Sequence, residues 1–318
     1  MSYTPKISFI LYVYKNTENL ADSLAALTKF NERDVEIIIH QDPGSSEVDQ
    51  ILDNFFQDCP NHNITYIKNQ HFLGQSFCFN EGLKIVHAPY TMFMYYNDVF
   101  DLKLLDTLNF PITQGYDIIS IPSLRESWYP LESNEYCGLS KELILNCGVS
   151  NLRDKIFRTA YLLESKLDFE EDKWYPDVFM LKVLLTFNKW WNILGEPLVD
   201  IRKECIAGSN LYDFLYQVED LFDLAIKSNI YETYKEEFDY WITIVCIYEF
   251  LSKIYANYSI HLTNKKSIEK NIRVIKLAMK HVTQVIDKYV PDFKTNKYFK
   301  KYATKTMKYF LKSEKAIF

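Results

Sequence analysis

Five strand-like runs recur in the first part of the chain: Ile7–Val13, Val35–Gln41, Ile64–Lys68, Tyr90–Tyr96 and Tyr116–Ile121. The fourth runs from Tyr90 to Tyr96 through apolar or neutral residues without alternation, which is how a strand buried on both faces of a helix-covered sheet reads. The runs start 25–30 residues apart, about the length of a strand, a helix and a return to a parallel neighbour. The segments between them carry helical periodicity. Leu20, Leu24 and Leu27 follow Asn16-Thr17; Val48, Ile51, Leu52, Phe55 and Phe56 follow Ser45-Ser46; Phe77, Leu83 and Val86 follow Gly74. The expectation is an α/β fold with a doubly wound, mostly parallel sheet.

Past residue 121 the spacing loosens. A stretch over 123–137 holding Trp128 and Tyr129 reads as a packed surface loop or a lid. Helical patterns follow at Lys141–Cys147, Leu152–Leu163 and Val178–Phe187, with extended pieces at Trp190–Leu194 and Glu196–Arg202. Beyond Asn210 only helical periodicity remains, over Leu211–Ile226, Ile230–Tyr258, Ser267–Tyr289 and Asn296–Leu311, with Pro291 dividing the last two. The expected organisation is an α/β domain over 1–209 and an all-α region over 210–318.

Composition narrows the setting. The six cysteines are scattered with no C-x-x-C pair, so they read as buried free thiols of a reducing compartment. The N-terminus lacks the pattern of a signal peptide, and no apolar run approaches the ~18–20 residues of a spanning helix. These features predict a cytoplasmic protein, free or at the inner face of the cell membrane. Net charge −6 conceals an asymmetry: residues 264–318 carry fifteen Lys and Arg against four Asp and Glu, the remainder 21 against 38. Lys297, Lys301, Lys305, Lys308 and Lys312 form one helical stripe beside Tyr298, Tyr302 and Tyr309. That stripe fits peripheral contact with anionic lipid through 295–318, or a solvated face packed on the acidic body. No nucleic-acid module accompanies it, so nucleic acid is not an expected partner.

Polar residues gather where the strand-like runs end. Val13-Tyr14, Asp42 and Lys68-Asn69 close the first three runs, and Asn97-Asp98 closes the fourth. In open α/β sheets ligands bind at that edge, although Asp-Pro-Gly and Asn-Asp are also ordinary turns. The histidines match no zinc spacing, and neither a nucleophile elbow nor a phosphate loop of the G-x-x-x-x-G-K type is present.

The segments Lys6–Asn16, Val35–Ser46, Tyr66–Gly74 with Asn80 and Gly82, Tyr90–Val99, and Glu196–Arg202 with Ser209 occur in an order that resembles the family-2 glycosyltransferases of GT-A fold. The resemblance spans roughly residues 5–209. It implies a Rossmann-like nucleotide-binding sheet and inverting transfer of a sugar from a nucleotide sugar, a UDP-sugar, to a hydroxyl of a glycan or lipid-linked glycan, as in bacterial surface polysaccharide synthesis. Val13, Tyr14, Asp42 and Asn69 would then meet the nucleoside, and Asn97 and Asp98 the diphosphate, with Asp98 holding Mn²⁺ or Mg²⁺. The family's D-x-D position reads Tyr96-Asn97-Asp98, so its first acid is missing; Asp101 could contribute, or could cap the next helix. Asp177 is the expected base, with Asp172 and Glu171 as alternatives; the plain reading of Asp177 is a helix cap beside Pro176. Trp174 and Tyr175 could floor the sugar or belong to the core. A rival expectation is a catalytically weak GT-A-like partner subunit. The helical region could serve as acceptor platform or homo-oligomer interface.

Overall fold

A computed structural model describes residues 4–15, 19–60, 62–124, 131–146, 152–171, 179–201, 211–251, 254 and 265–302. The described chain falls into two compact units: residues 1–126, 131–139 and 151–204, and residues 127–130, 140–150 and 205–318.

The first unit is built on an eight-stranded sheet in the order β3-β2-β1-β4-β8-β6-β9-β7. Its strands are β1 (Ile7–Val13), β2 (Val35–Gln41), β3 (Asn63–Lys68), β4 (Tyr90–Tyr95), β6 (Ile118–Ser120), β7 (Glu135–Cys137), β8 (Lys155–Arg158) and β9 (Lys189–Asn192); β5 (Asp98–Phe100) and β10 (Val199–Ile201) form a separate antiparallel pair. The β1–β2, β2–β3 and β1–β4 ladders are parallel, and β1 and β2 run in step from Ile7 opposite Val35 to Val13 opposite Gln41. Every residue of β1, β2 and β4 is buried, which accounts for their unalternating sequence. One face of β1, with Ile7, Phe9, Leu11 and Val13, packs with Leu20, Leu24 and Leu27 of α1 (Leu20–Leu27) and with Val48, Leu52 and Phe55 of α2 (Ser46–Asp58). The N-cap of α2 is Ser45, whose hydroxyl accepts from Val48 N at 3.4 Å.

The other face carries α3 (Gln75–Ile85), which lies close against β1. A Cβ at Gly82 would stand 2.5 Å from Ile10 Cγ2, so glycine sets how near that helix approaches the strand. An aromatic cluster extends the same layer: Phe169 stacks on Phe179 at 4.2 Å between centroids and meets Phe93 edge-on at 4.8 Å.

The sequence misreads the segment that begins at Leu152. A single helix is expected over Leu152–Leu163, but the chain there makes a 3-10 turn (Leu152–Asp154), then β8, then α6 (Thr159–Glu164). Strand β8 pairs antiparallel with both β4 and β6, wedged into the sheet. The pattern Lys-Ile-Phe-Arg satisfies either period over so short a run, and the two strand neighbours decide the outcome.

The second unit is helical among its described residues. It comprises α5 (Lys141–Asn146), α8 (Leu211–Lys227), α9 (Ile230–Thr233), α10 (Lys235–Ile244) running into a π-helical turn over Val245–Phe250, α11 (Lys265–Tyr289) and α12 (Lys297–Tyr302); α4 (Leu104–Gln114) and α7 (Phe179–Leu184) belong to the first unit. No described helix is long and apolar enough to cross a membrane. In the basic stretch, Lys297 pairs with Glu236, the Tyr298 hydroxyl donates to Glu237, and Phe299 is buried. Lys305, Lys308 and Lys312 lie outside the described residues.

Two measurements test this packing. Gly82→Ala gains about 1 kcal/mol of helix propensity but forces Ile10 to move at a cost of about 1–3 kcal/mol, so denaturant unfolding should show a net loss. His40 is buried with neither ring nitrogen partnered among the described residues, and burial lowers its pKa. The unfolded chain then binds the histidine proton more readily, so stability present above the unfolded pKa is lost as pH falls below it. Between pH 7 and 5 the protein should lose up to about 2 kcal/mol more than His40→Leu.

Candidate active site

Parallel strands carry the residues after them to one rim, and two buried carboxylates, Asp42 and Asp98, stand at that rim in the first unit.

Asp42 follows β2 and is fully buried. Its backbone N–H donates to Val13 O at 3.0 Å, which ties the exits of β1 and β2 together. The carboxylate accepts from Tyr12 Oη at 2.9 Å, Asn69 Nδ2 at 2.9 Å, Gly74 N at 2.8 Å, and Leu73 N at 3.1 Å. A carboxylate has about four lone-pair directions, so these donors occupy it. Burial, then the Asp42 charge, raise the Tyr12 hydroxyl far above its ordinary range, and the same causes push the Cys78 thiol up to about 12. Asp42 therefore fixes the turn 69–74 against the sheet. Gly74, at φ +85, closes that turn as the N-cap of α3, in backbone space that a β-carbon disfavours.

What the turn presents is aromatic. Phe72, 44% exposed, meets the half-buried Tyr14 with 4.9 Å between ring centroids. Lys15 Nζ lies 5.0 Å over the Tyr14 ring. Of the residues expected to meet a nucleoside, Val13 is wholly buried and Asn69 serves Asp42, leaving the Tyr14 ring as the accessible surface. Lys68 is engaged with Asp49 at 2.8 Å. Sequence reasoning missed Phe72; His-Phe-Leu-Gly between a strand and a helix was its only signal.

Asp98 opens β5 and is also fully buried. Its Oδ2 accepts from Tyr95 N at 3.1 Å, as a turn-closing aspartate does. The larger partner is Arg153, on the 3-10 turn before β8. Arg153 Nε stands 2.8 Å from Oδ1 and 3.1 Å from Oδ2, its Nη2 also donates to Oδ1, and Nη2 donates to Asn97 Oδ1 at 2.6 Å. The guanidinium lies over the Tyr95 ring, 4.7 Å from its centroid. Asp101 accepts from Lys103 N at 2.8 Å, at the turn into α4.

The oxygens of Asp98 and Asn97 are hard donors, the chemistry that Mg²⁺ and Mn²⁺ prefer. The side chain engaged with all three is a cation of the same chain, so in charge and ligand type this cradle suits a metal ion, while its place is held by Arg153. Among the described residues no group of three or more His, Cys, Asp or Glu could hold a metal unaided, so further ligands would come from elsewhere. No sequence signal singles out Arg153, because its partners lie 55 and 56 residues away.

Asp177, Asp172, Trp174 and Tyr175 lie outside the described residues, as do Trp128 and Tyr129. Glu171 is described, and Asn80 of α3 holds the segment before it: Asn80 Nδ2 donates to Phe169 O and to Glu171 Oε1, both at 3.0 Å, and Phe169 N donates to Asn80 Oδ1 at 2.9 Å.

Together, the parallel half-sheet, the antiparallel insertion of β8 and the polar strand-end rim define the GT-A class of glycosyltransferase fold. The solved structures that share it include S. aureus TarS (residues 1–349) in complex with UDP-GlcNAc, at TM-score 0.63 and 17% identity, covering 98% of this chain and 92% of that one. The same TarS fragment with UDP aligns at 0.61 and 16% identity, covering 98% and 91%. A mannosyltransferase, PcManGT from Pyrobaculum calidifontis, in complex with GDP-Man and Mn²⁺, aligns at 0.55 and 11% identity, covering 98% and 86%. No protein-family model and no curated protein sequence matches the chain.

The Asp42 hub gives a stability prediction. Asp42→Asn keeps the shape but turns an amide N–H₂ toward donors, so unfolding should show a loss of about 2–3 kcal/mol, with Tyr12→Phe costing about 1 kcal/mol.

Proposed function

We propose that this chain transfers a glycosyl group from a nucleotide sugar, a UDP-sugar, to a hydroxyl of a glycan acceptor with inversion at the anomeric carbon, as a hexosyltransferase of the family-2 type. The observation that carries the reading is the Tyr14–Phe72 aromatic pair, held at the strand-end rim by Asp42 in a fold shared with nucleotide-sugar complexes. A nucleobase stacks on such a surface, while Asp42 and Asn69 hold the turn that carries it.

The reaction needs a base on the acceptor side and charge compensation on the leaving side. The acceptor oxygen attacks the anomeric carbon as a carboxylate takes its proton, and the nucleoside diphosphate departs from the opposite face. Asp177 is the proposed base, with Asp172 and Glu171 as alternatives; the Asn80 contacts favour the Glu171 end by fixing the chain that leads there. A divalent cation, Mn²⁺ or Mg²⁺, when bound by Asp98 with Asn97 beside it, supplies neutralisation to the departing diphosphate. The acceptor fits a bacterial surface polysaccharide or lipid-linked glycan, with a cytoplasmic protein meeting the membrane face through 295–318. Within the helical domain over 210–318, residues 210–290 are proposed as acceptor platform, homo-oligomer contact or both, beside the catalytic domain over 1–209.

The engagement of Asp98 by Arg153, with Tyr96 standing where a first acid is common, favours a second reading, a weakly active partner subunit. Titration calorimetry with UDP, UDP-GlcNAc and GDP-Man separates the readings, combined with mass spectrometry of slow donor hydrolysis. The enzyme binds one donor class and hydrolyses it; the partner subunit hydrolyses none. Tyr14→Ala should weaken nucleotide binding about tenfold, the scale of one lost stacking contact, with little change in stability. Absence of binding to every nucleotide would overturn the proposal.

A further inference from the structure

Cations of two kinds occur along the basic stretch from 264. Lys288 stands 3.8 Å from Glu219, and Lys297 pairs with Glu236. Lys270, Arg273, Lys276 and Lys280 of α11 are instead exposed, and among the described residues their side chains enter no ion pair or hydrogen bond. Arg273, Lys276, Leu277 and Lys280 fall at i, i+3, i+4 and i+7, one face of a helix. The opposite side, with Ala278, Met279, Val282, Val285 and Ile286, is buried. The outward face is therefore cationic over about 15 Å, the rise from Lys270 to Lys280. Two aliphatic residues flank it, Leu277 at 60% exposed and Ile272 at 47%. Tyr216 of α8, 46% exposed, continues the apolar margin: its ring meets His281, one turn past Leu277, with 5.3 Å between centroids. The acids nearby are engaged or lie past the ends of the line. Glu219 faces His281 at 3.4 Å, and Asp223 accepts from the Tyr289 hydroxyl at 2.8 Å. Glu269 precedes Lys270, Asp220 lies one turn beyond Tyr216, and Asp287 two turns beyond Lys280.

We propose that this face of α11, with Tyr216 beside it, docks the protein on an anionic lipid surface. Cations held at fixed spacing are drawn to phosphate headgroups, and each such residue strengthens attachment about fivefold. Leu277 and Ile272 stand beside those charges and enter the boundary between headgroups and acyl chains, where a tyrosine ring also settles. A nucleic acid offers the charge but no apolar layer beneath it for the two aliphatic side chains. Residues 1–263 carry 21 Lys and Arg against 38 Asp and Glu, so an anionic surface repels them and attraction acts through the basic stretch. This contact is distinct from the one proposed through 295–318, where Lys297 is paired and Phe299 is buried. Nothing in it depends on the reaction catalysed, and vesicle binding can fail while nucleotide binding stands.

The test is co-sedimentation of the full chain with vesicles of phosphatidylcholine alone and of phosphatidylcholine mixed in equal parts with phosphatidylglycerol. Wild type should bind the mixed vesicles and leave the neutral ones, and added salt should weaken the binding. Arg273→Gln, Lys276→Gln and Lys280→Gln combined should weaken it roughly 100-fold, the product of three fivefold terms. Ile272→Gln with Leu277→Gln, which leaves net charge unchanged, should weaken it about tenfold. Thermal unfolding should be nearly the same for all three proteins, because the substituted side chains point away from the packed side of α11. Binding unchanged by the triple substitution, equal binding to the two vesicle types, or no vesicle binding by wild type would each overturn the docking surface. Sedimentation velocity adds one further outcome: a self-associating wild type that the triple substitution makes monomeric, with no vesicle binding, would overturn it in favour of a second copy of this chain.

Discussion

Every residue of β1, β2 and β4 is buried, and that constraint governs where charge can appear in the first unit. Strands covered on both faces leave mainly their ends for polar work, so the acids crowd into the loops that follow them. There they are still sealed from water, and a sealed carboxylate must be fully partnered. The two acids solve this differently. Asp42 is satisfied by neutral donors, from a tyrosine, an asparagine and two backbone N–H groups, and becomes a fixed joint. Asp98 accepts from a guanidinium, that of Arg153, together with a backbone N–H, that of Tyr95. The same physical demand is thus met by neutral donors at one acid and with an ion pair at the other.

The fold was largely legible because its signals are local. The strand-like runs place β1 and β2 to the residue, and the helical segments between them fall where the periodicity points. What was illegible was short and held by distant partners. The four residues of β8 carry no period long enough to read, and only their pairing with β4 and β6 makes them a strand. β7, three residues, is similar, held by β9 alone.

The candidate site divides along the same line. Its acids were visible as residue types at strand ends, since an aspartate after a buried run is a local pattern. What each acid touches was not, because the decisive partners come from 55 residues away at Arg153 and about thirty at Leu73 and Gly74. A turn aspartate and a ligand aspartate share one sequence signature, and the number and charge of their donors tell them apart. Asn80 shows the converse: a polar residue within a helix is unremarkable in sequence, yet its amide clamps a segment some ninety residues later.

Cys78 shows what the Asp42 joint does to a neighbouring group. Its thiol receives a hydrogen bond from Asn69 at 3.4 Å, beside a carboxylate and away from solvent, and is pushed up to about 12. Such a thiol stays protonated at neutral pH, and the thiolate is the form that reacts with peroxide or electrophiles. The strand-end rim thus carries a cysteine that is chemically mute, so oxidative stress or alkylating agents would pass it by while attacking more acidic thiols elsewhere.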